Sequence, residues 1–234
     1  MYKYFINFLI FLASYSLYAQ ASINDKVKEK VKDSIVYKTN YGLRLGVDIS
    51  KPIKGMLDDR YTGFEIVGDY RLTKNFYLAA EIGFEEETTL EDFTSSFSKG
   101  NYLRIGANIN LYKNWLDMTN ELFFGFRYGL SIFDQTLNSY SINTGNQYFD
   151  NALISSRTET GLNAHWTELM LGIKVETFKN VYLSASMSYK IMISLKEPDN
   201  FKTLFAPGFN RVFLSQTGFG FNYTISYTIP FNKK

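Results

Sequence analysis

Gly218-Phe219-Gly220-Phe221-Asn222-Tyr223-Thr224-Ile225-Ser226-Tyr227-Thr228-Ile229-Pro230-Phe231 decides how this chain folds. Its odd positions read Phe, Phe, Tyr, Ile, Tyr, Ile, Phe, and its even positions read Gly, Gly, Asn, Thr, Ser, Thr, Pro. Side chains alternate between the faces of a strand, so one face is wholly apolar and the other small and uncharged. Glycine weakens a strand and gains nothing on a solvent face. The two faces make sense when the aromatic side meets lipid and the small side lines the crowded inside of a narrow barrel.

The same alternation recurs upstream over Tyr41–Ile49, Phe64–Leu72, Phe76–Glu85, Leu103–Leu111, Glu121–Ile132, Thr167–Glu176 and Val181–Ile193. On the apolar face of these stretches no position is charged. The opposite face carries Asp48, Glu65, Asp69, Glu81, Glu85, Glu121, Glu168 and Glu176 beside Arg44, Arg71, Arg104, Arg127, Lys174 and Lys190, interleaved with glycine. Mixed charge with glycine describes a small barrel filled by paired ions, not a water-filled channel. Simple pairing of the first two strands sets Arg44 opposite Asp69, with Glu81 and Arg127 at similar depth. These four residues are the expected lumen ion network.

The expected fold is therefore all-β, an eight-stranded antiparallel up-and-down transmembrane barrel over residues 41–231. Connections set its orientation. Residues 50–62, 86–100, 134–164 and 194–211 are long, whereas 73–75, 112–120 and 178–180 are short. Long extracellular loops alternating with short periplasmic turns is the outer-membrane rule. The short turns repeat Thr73-Lys74-Asn75, Tyr112-Lys113-Asn114 and Phe178-Lys179-Asn180, where Asn tolerates the left-handed conformation.

The N-terminus agrees with that destination. Met1-Tyr2-Lys3, an apolar run from Phe5 to Leu12 and Ala19-Gln20-Ala21 read as a secretory signal peptide, residues 1–21. The run falls short of the about 20 apolar residues of a spanning helix. Residues 22–40 are a charged leader facing the periplasm. The chain has no cysteine, which removes disulfides and thiolate metal sites, and a formal charge of +2 gives no reason to expect nucleic acid. Mean hydropathy is −0.17, as expected where apolar and polar residues alternate.

Tyr41-Gly42-Leu43-Arg44-Leu45-Gly46-Val47-Asp48, Gly161-Leu162-Asn163-Ala164-His165-Trp166, Pro198-Asp199-Asn200-Phe201-Lys202, Pro207-Gly208-Phe209-Asn210-Arg211-Val212 and the closing strand resemble an uncharacterised family of Bacteroidota outer-membrane β-barrels, a domain of unknown function. The architecture is similar to the eight-stranded barrels of the OmpX and OmpA type. The resemblance implies location and fold, and no activity comes with it. One departure is that Phe231 is followed by Asn232-Lys233-Lys234, where such barrels usually end on the aromatic.

Candidate chemistry is sparse. His165 is the single histidine. It falls at the extracellular end of its strand with Thr167 on the same face, and two lipid A-modifying barrel families keep an active-site histidine near that leaflet. A triad also needs a carboxylate to orient the imidazole, and neither neighbouring strand carries one on its lipid face. The acidic run Glu85 to Asp92 is read as a solvated loop matching no calcium motif. Phe201, Phe205 and Phe209 either offer a binding surface or pack over the barrel mouth. The sequence thus points to a monomeric, non-enzymatic envelope protein in contact with the lipid bilayer and lipopolysaccharide, without cofactor or metal. Loops 134–164 and 194–211 are its candidate contacts for a protein partner, the first by extending the sheet above the membrane. The alternatives are a lipid A-modifying enzyme using His165 and a secreted lipocalin-like ligand binder, which would turn the apolar face inward.

Overall fold

A computed structural model describes residues 40–112, 119–140, 156–199 and 201–233. The expected signal peptide, nearly all of the leader and the Lys113-Asn114 turn lie outside them. Eight strands form an antiparallel ring: β1 (Asn40–Asp48), β2 (Tyr61–Arg71), β3 (Phe76–Glu91), β4 (Thr94–Asn110), β5 (Glu121–Tyr140), β6 (Arg157–Phe178), β7 (Val181–Leu195) and β10 (Thr217–Lys233). The order β1-β10-β7-β6-β5-β4-β3-β2 returns to β1, which pairs with both β2 and β10, so the barrel is closed and up-and-down. The helix α1 (Ser50–Leu57) follows β1, and a two-stranded hairpin of β8 (Phe205–Ala206) and β9 (Asn210–Arg211) precedes β10.

Which face turns outward follows the alternation. Phe221 is 65% exposed and Leu171 51%, while Glu168 is fully buried. The outer wall is aliphatic and aromatic, and the charged and small residues point into the lumen. This excludes the lipocalin-like arrangement. A closed sheet satisfies its own backbone, which is what an apolar wall in hydrocarbon requires. Glycine makes room inside: a Cβ on Gly129 would stand 2.2 Å from the Trp166 ring.

The long connections differ from expectation. Residues 86–100 are not a loop, since β3 and β4 pair without interruption from Phe76↔Ile109 to Glu91↔Thr94. The acidic run therefore belongs mostly to a strand. Polar residues occupy both faces there, which ends the hydrophobic alternation while the backbone ladder continues. β5 likewise runs to Tyr140 and β6 begins at Arg157, with residues 141–155 outside the described set. β3 to β6 are 16, 17, 20 and 22 residues long, well beyond the about 9–11 that cross a bilayer. They rise past the apolar wall as a four-stranded extension. The 194–211 connection turns back over the mouth. Of the Lys-Asn turns, Asn180 adopts a positive φ of 65°, whereas Asn75 is not among the positive-φ residues.

Candidate functional site

The barrel interior is an ion network in two sets. Towards the short-turn end, Arg44 is the register partner of Asp69. Its Nε donates to Asp69 Oδ1 at 2.9 Å and its Nη2 to Glu121 Oε1 at 2.6 Å. Lys174 holds the other Asp69 oxygen. The Arg44 guanidinium lies 4.5 Å from the Tyr182 ring centroid and 5.4 Å from that of Tyr77, so two aromatic rings and two carboxylates hold one cation across the base.

Further up, Arg127 Nε donates to Glu81 Oε1 at 3.0 Å. Arg104 joins Glu65 at 2.6 Å and Glu168 at 3.2 Å, and Trp166 Nε1 donates to Glu168 Oε1 at 2.6 Å. The four residues expected as one network are thus split, Arg44 with Asp69 and Glu81 with Arg127. Glu121, Lys174, Glu65, Arg104 and Glu168 join them, and their inward parity was the available signal. The space left between these groups is about 40 Å³, enough for very little water.

At the other end a plug closes the mouth. Phe205, Ala206, Pro207 and Phe209 are buried, and Ala206 and Phe209 pack with Tyr102, Phe133, Leu162, Ala164, Trp166 and Met192. The Phe209 ring meets Trp166 edge-on at 6.0 Å. Gly208 forms the tip with φ +80°, a conformation favouring glycine, and a Cβ there would lie 2.5 Å from Tyr102. Both polar groups of this residue are captured. Its N–H donates to Glu85 Oε2 at 2.6 Å and its carbonyl accepts from Lys190 Nζ at 2.6 Å.

Glu85 also accepts from Tyr61 Oη at 2.8 Å and pairs with Lys51 of α1. This carboxylate, expected on the inner face by parity but also counted at the head of the solvated acidic run, is fully buried and ties together α1, β2, β3 and the plug. Burial works to lower the Lys51 pKa, but Glu85 and Glu65 more than offset it and hold the ammonium above its usual value. Two of the three flagged phenylalanines, Phe205 and Phe209, pack over the mouth. Phe201 instead lines a cavity beside the sheet extension with Leu137 and Tyr140.

His165 lies on the outer wall of β6, half-buried, opposite Leu130 and Ser194. Its Nδ1 shares a hydrogen bond with Tyr128 Oη at 2.8 Å, so a phenol occupies the place where a triad would put a carboxylate. Trp166, its sequence neighbour, points to the opposite face. Among the described residues, no group of three or more His, Cys, Asp or Glu could hold a metal ion.

A family model described as "Domain of unknown function (DUF6048)" matches residues 1–234. No curated protein matches the chain. Among solved structures it is similar to Ail, the attachment invasion locus protein of Yersinia pestis, at 9% identity and a TM-score of 0.40, covering 82% of this chain and 98% of that one.

Proposed function

The chain belongs to the DUF6048 family, and from that premise we propose that it is a non-enzymatic outer-membrane surface protein. Its sealed barrel anchors the four-stranded extension of β3 to β6, which meets a partner outside the cell. The strand lengths carry this reading, because a barrel serving only as a membrane plug has no use for strands of 20 and 22 residues. The outer wall supports the bilayer as its environment, and the signal-like first 21 residues support export.

The extension offers its face and tip more than its edges. Over residues 157–162 β6 pairs with β5 alone among the described residues; it carries the Arg157–Glu159 ion pair there and, within that pairing, a register shift beside Gly161, which has φ +67°. Charges and bulges of this kind guard an edge against strand addition. Within the sheet, Thr136 and Thr158 hydroxyls meet at 2.9 Å, leaving a polar outward surface.

The test has two arms. Membrane fractionation and heat-modifiable gel mobility place the protein, and recovery in the soluble periplasm ends the reading. Shortening β5 and β6 by removing residues 135–159 must abolish surface interaction while the barrel still folds. A lipid-modifying role centred on His165 is the rival. It predicts a lipid A mass change that disappears in His165→Ala.

A further inference from the structure

We infer that the outward face of α1, carrying Ile53, Met56 and Leu57, seats in the outer leaflet and packs against lipid acyl chains. This rests on the bilayer as the environment of the wall and adds a contact that no strand makes.

In one sector the strand wall stops short. β1 has 9 residues, against 17 in its neighbour β10. Its outward side chain Val47 pairs with Ile66 of β2 and Ile225 of β10. Beyond that level β2 still presents Phe64, and β10 presents Tyr223, Phe221 and Phe219, all of them exposed. Among the described residues no strand lies between these two edges. The chain turns there into α1, which touches both β2 and β10. The Ile49 N–H donates to the Tyr223 carbonyl at 2.8 Å, and a Cβ on Gly55 would stand 3.1 Å from the Tyr61 carbonyl oxygen. The helix occupies the sector that a longer β1 would have filled.

α1 is built inside out for a helix in water. Lys51 and Lys54, three positions apart, share the side turned to the barrel. Lys51 pairs with buried Glu85. Lys54, at the margin of that side, reaches Glu87 Oε2 at 2.7 Å and lies 3.7 Å over the Tyr61 ring. Ile53, Met56 and Leu57 stand at the i, i+3, i+4 spacing of one helical face and are 48%, 83% and 83% exposed. A rim helix surrounded by water would turn the lysines out and these three in. The wall strands show the same inversion, charge to the lumen and apolar groups outward, so one apolar surrounding accounts for both.

Because carboxylates already hold both lysines, apolar contact seats the helix, not attraction to an anionic headgroup. Asp58, Asp59 and Arg60 follow Leu57 directly, and the Arg60–Asp58 ion pair is exposed. These charges mark the water line at the C-terminal end of the helix. The arrangement is that of an interfacial helix, whose apolar face reaches about 5–10 Å into the boundary of headgroups and acyl chains.

The chain has no cysteine, so each single-cysteine variant takes one nitroxide label. Met56→Cys, Leu57→Cys, Asp59→Cys and, on the wall, Leu169→Cys are made in the full chain and folded into phosphatidylcholine liposomes. Heat-modifiable mobility confirms that each is folded. Spin relaxation by oxygen, which concentrates in hydrocarbon, and by a nickel chelate confined to water reads the depth of each label. The Met56 and Leu57 labels are expected to respond to oxygen over chelate at a depth of about 5–10 Å, with the Leu169 label deeper and the Asp59 label in water. If the Met56 and Leu57 labels are as open to the chelate as that at Asp59 while the Leu169 label lies in lipid, the inference is overturned and the placement of the barrel stands. A Leu169 label in water overturns both. Shielding of the helix labels from both relaxants, with dipolar broadening between labels, assigns the face to a second copy of the chain and overturns the contact with lipid.

Discussion

The Gly208 N–H donates to the Glu85 carboxylate at 2.6 Å across 123 positions of sequence, joining the tip of the plug to the wall of the barrel. Gly208 has φ +80°, and any Cβ there would run into Tyr102 and come within 3.0 Å of Trp166. Gly161 provides the comparison, with φ +67° and nothing within 4 Å. Gly161→Ala therefore carries backbone strain alone, about 1 kcal/mol. Gly208→Ala adds overpacking of about 1–3 kcal/mol. Urea unfolding of the detergent-folded protein must rank Gly208→Ala as clearly the weaker of the two.

Arg104 is the cation on which the upper lumen depends, since it satisfies both Glu65 and Glu168. Arg104→Met removes the charge and leaves those carboxylates buried with only Lys51 and Lys190 at 3.8 Å, a cost of about 3–5 kcal/mol. The triple variant Arg104→Met/Glu65→Gln/Glu168→Gln takes the orphaned charges away as well. It must recover a large part of that loss in the same unfolding measurement, and a triple variant as unstable as the single one contradicts the account.

How far the sequence discloses this molecule depends on burial. The wall is legible residue by residue, because lipid accepts no charge and the alternation of Leu169, Leu171 and Ile173 admits one register. Arg44 opposite Asp69 follows from pairing two adjacent strands. Arg127 with Glu81 is harder, because they stand on strands with β4 between them and meet across the lumen. Glu85 is half legible: its parity turns it inward, but as the first acid of Glu85-Glu86-Glu87 it looks solvated until α1 and the plug close over it. The extension hides for a related reason. Above the membrane neither face is uniformly apolar, so period-two hydrophobicity vanishes while the hydrogen-bonded ladder goes on.

Depth along one strand separates lipid-facing from exposed positions. Phe126 on β5 pairs with Leu169 and lies on the apolar wall, while Thr136 of the same strand pairs with Thr158 on the extension. Phe126→Arg must cost about 2–4 kcal/mol, as a charge on the lipid face near mid-bilayer does, and reduce assembly into the membrane. Thr136→Arg must stay within about 0.5 kcal/mol of the parent, as surface changes do. Folding yield into liposomes, read by heat-modifiable mobility, distinguishes them. Equal yields would deny the placement of the band.

Two seals in series make the lumen's closure robust. The plug is the upper one, fixed by Gly208 to Glu85 and Lys190 and by Phe209 to Trp166. Beneath it the ion network leaves about 40 Å³, and Arg44, held by Tyr77 and Tyr182, spans the base. Replacing residues 203–211 with a short Gly-Ser linker removes the first seal and leaves the second in place. Planar-bilayer recordings must therefore show no steady large conductance for the parent or for the linker variant. If the linker variant conducts, the plug alone was closing a pore, and the lumen network is not the barrier that its geometry describes. Silence in that variant followed by conductance after a further Arg44→Ala/Arg104→Ala exchange would locate the barrier in the ion network itself.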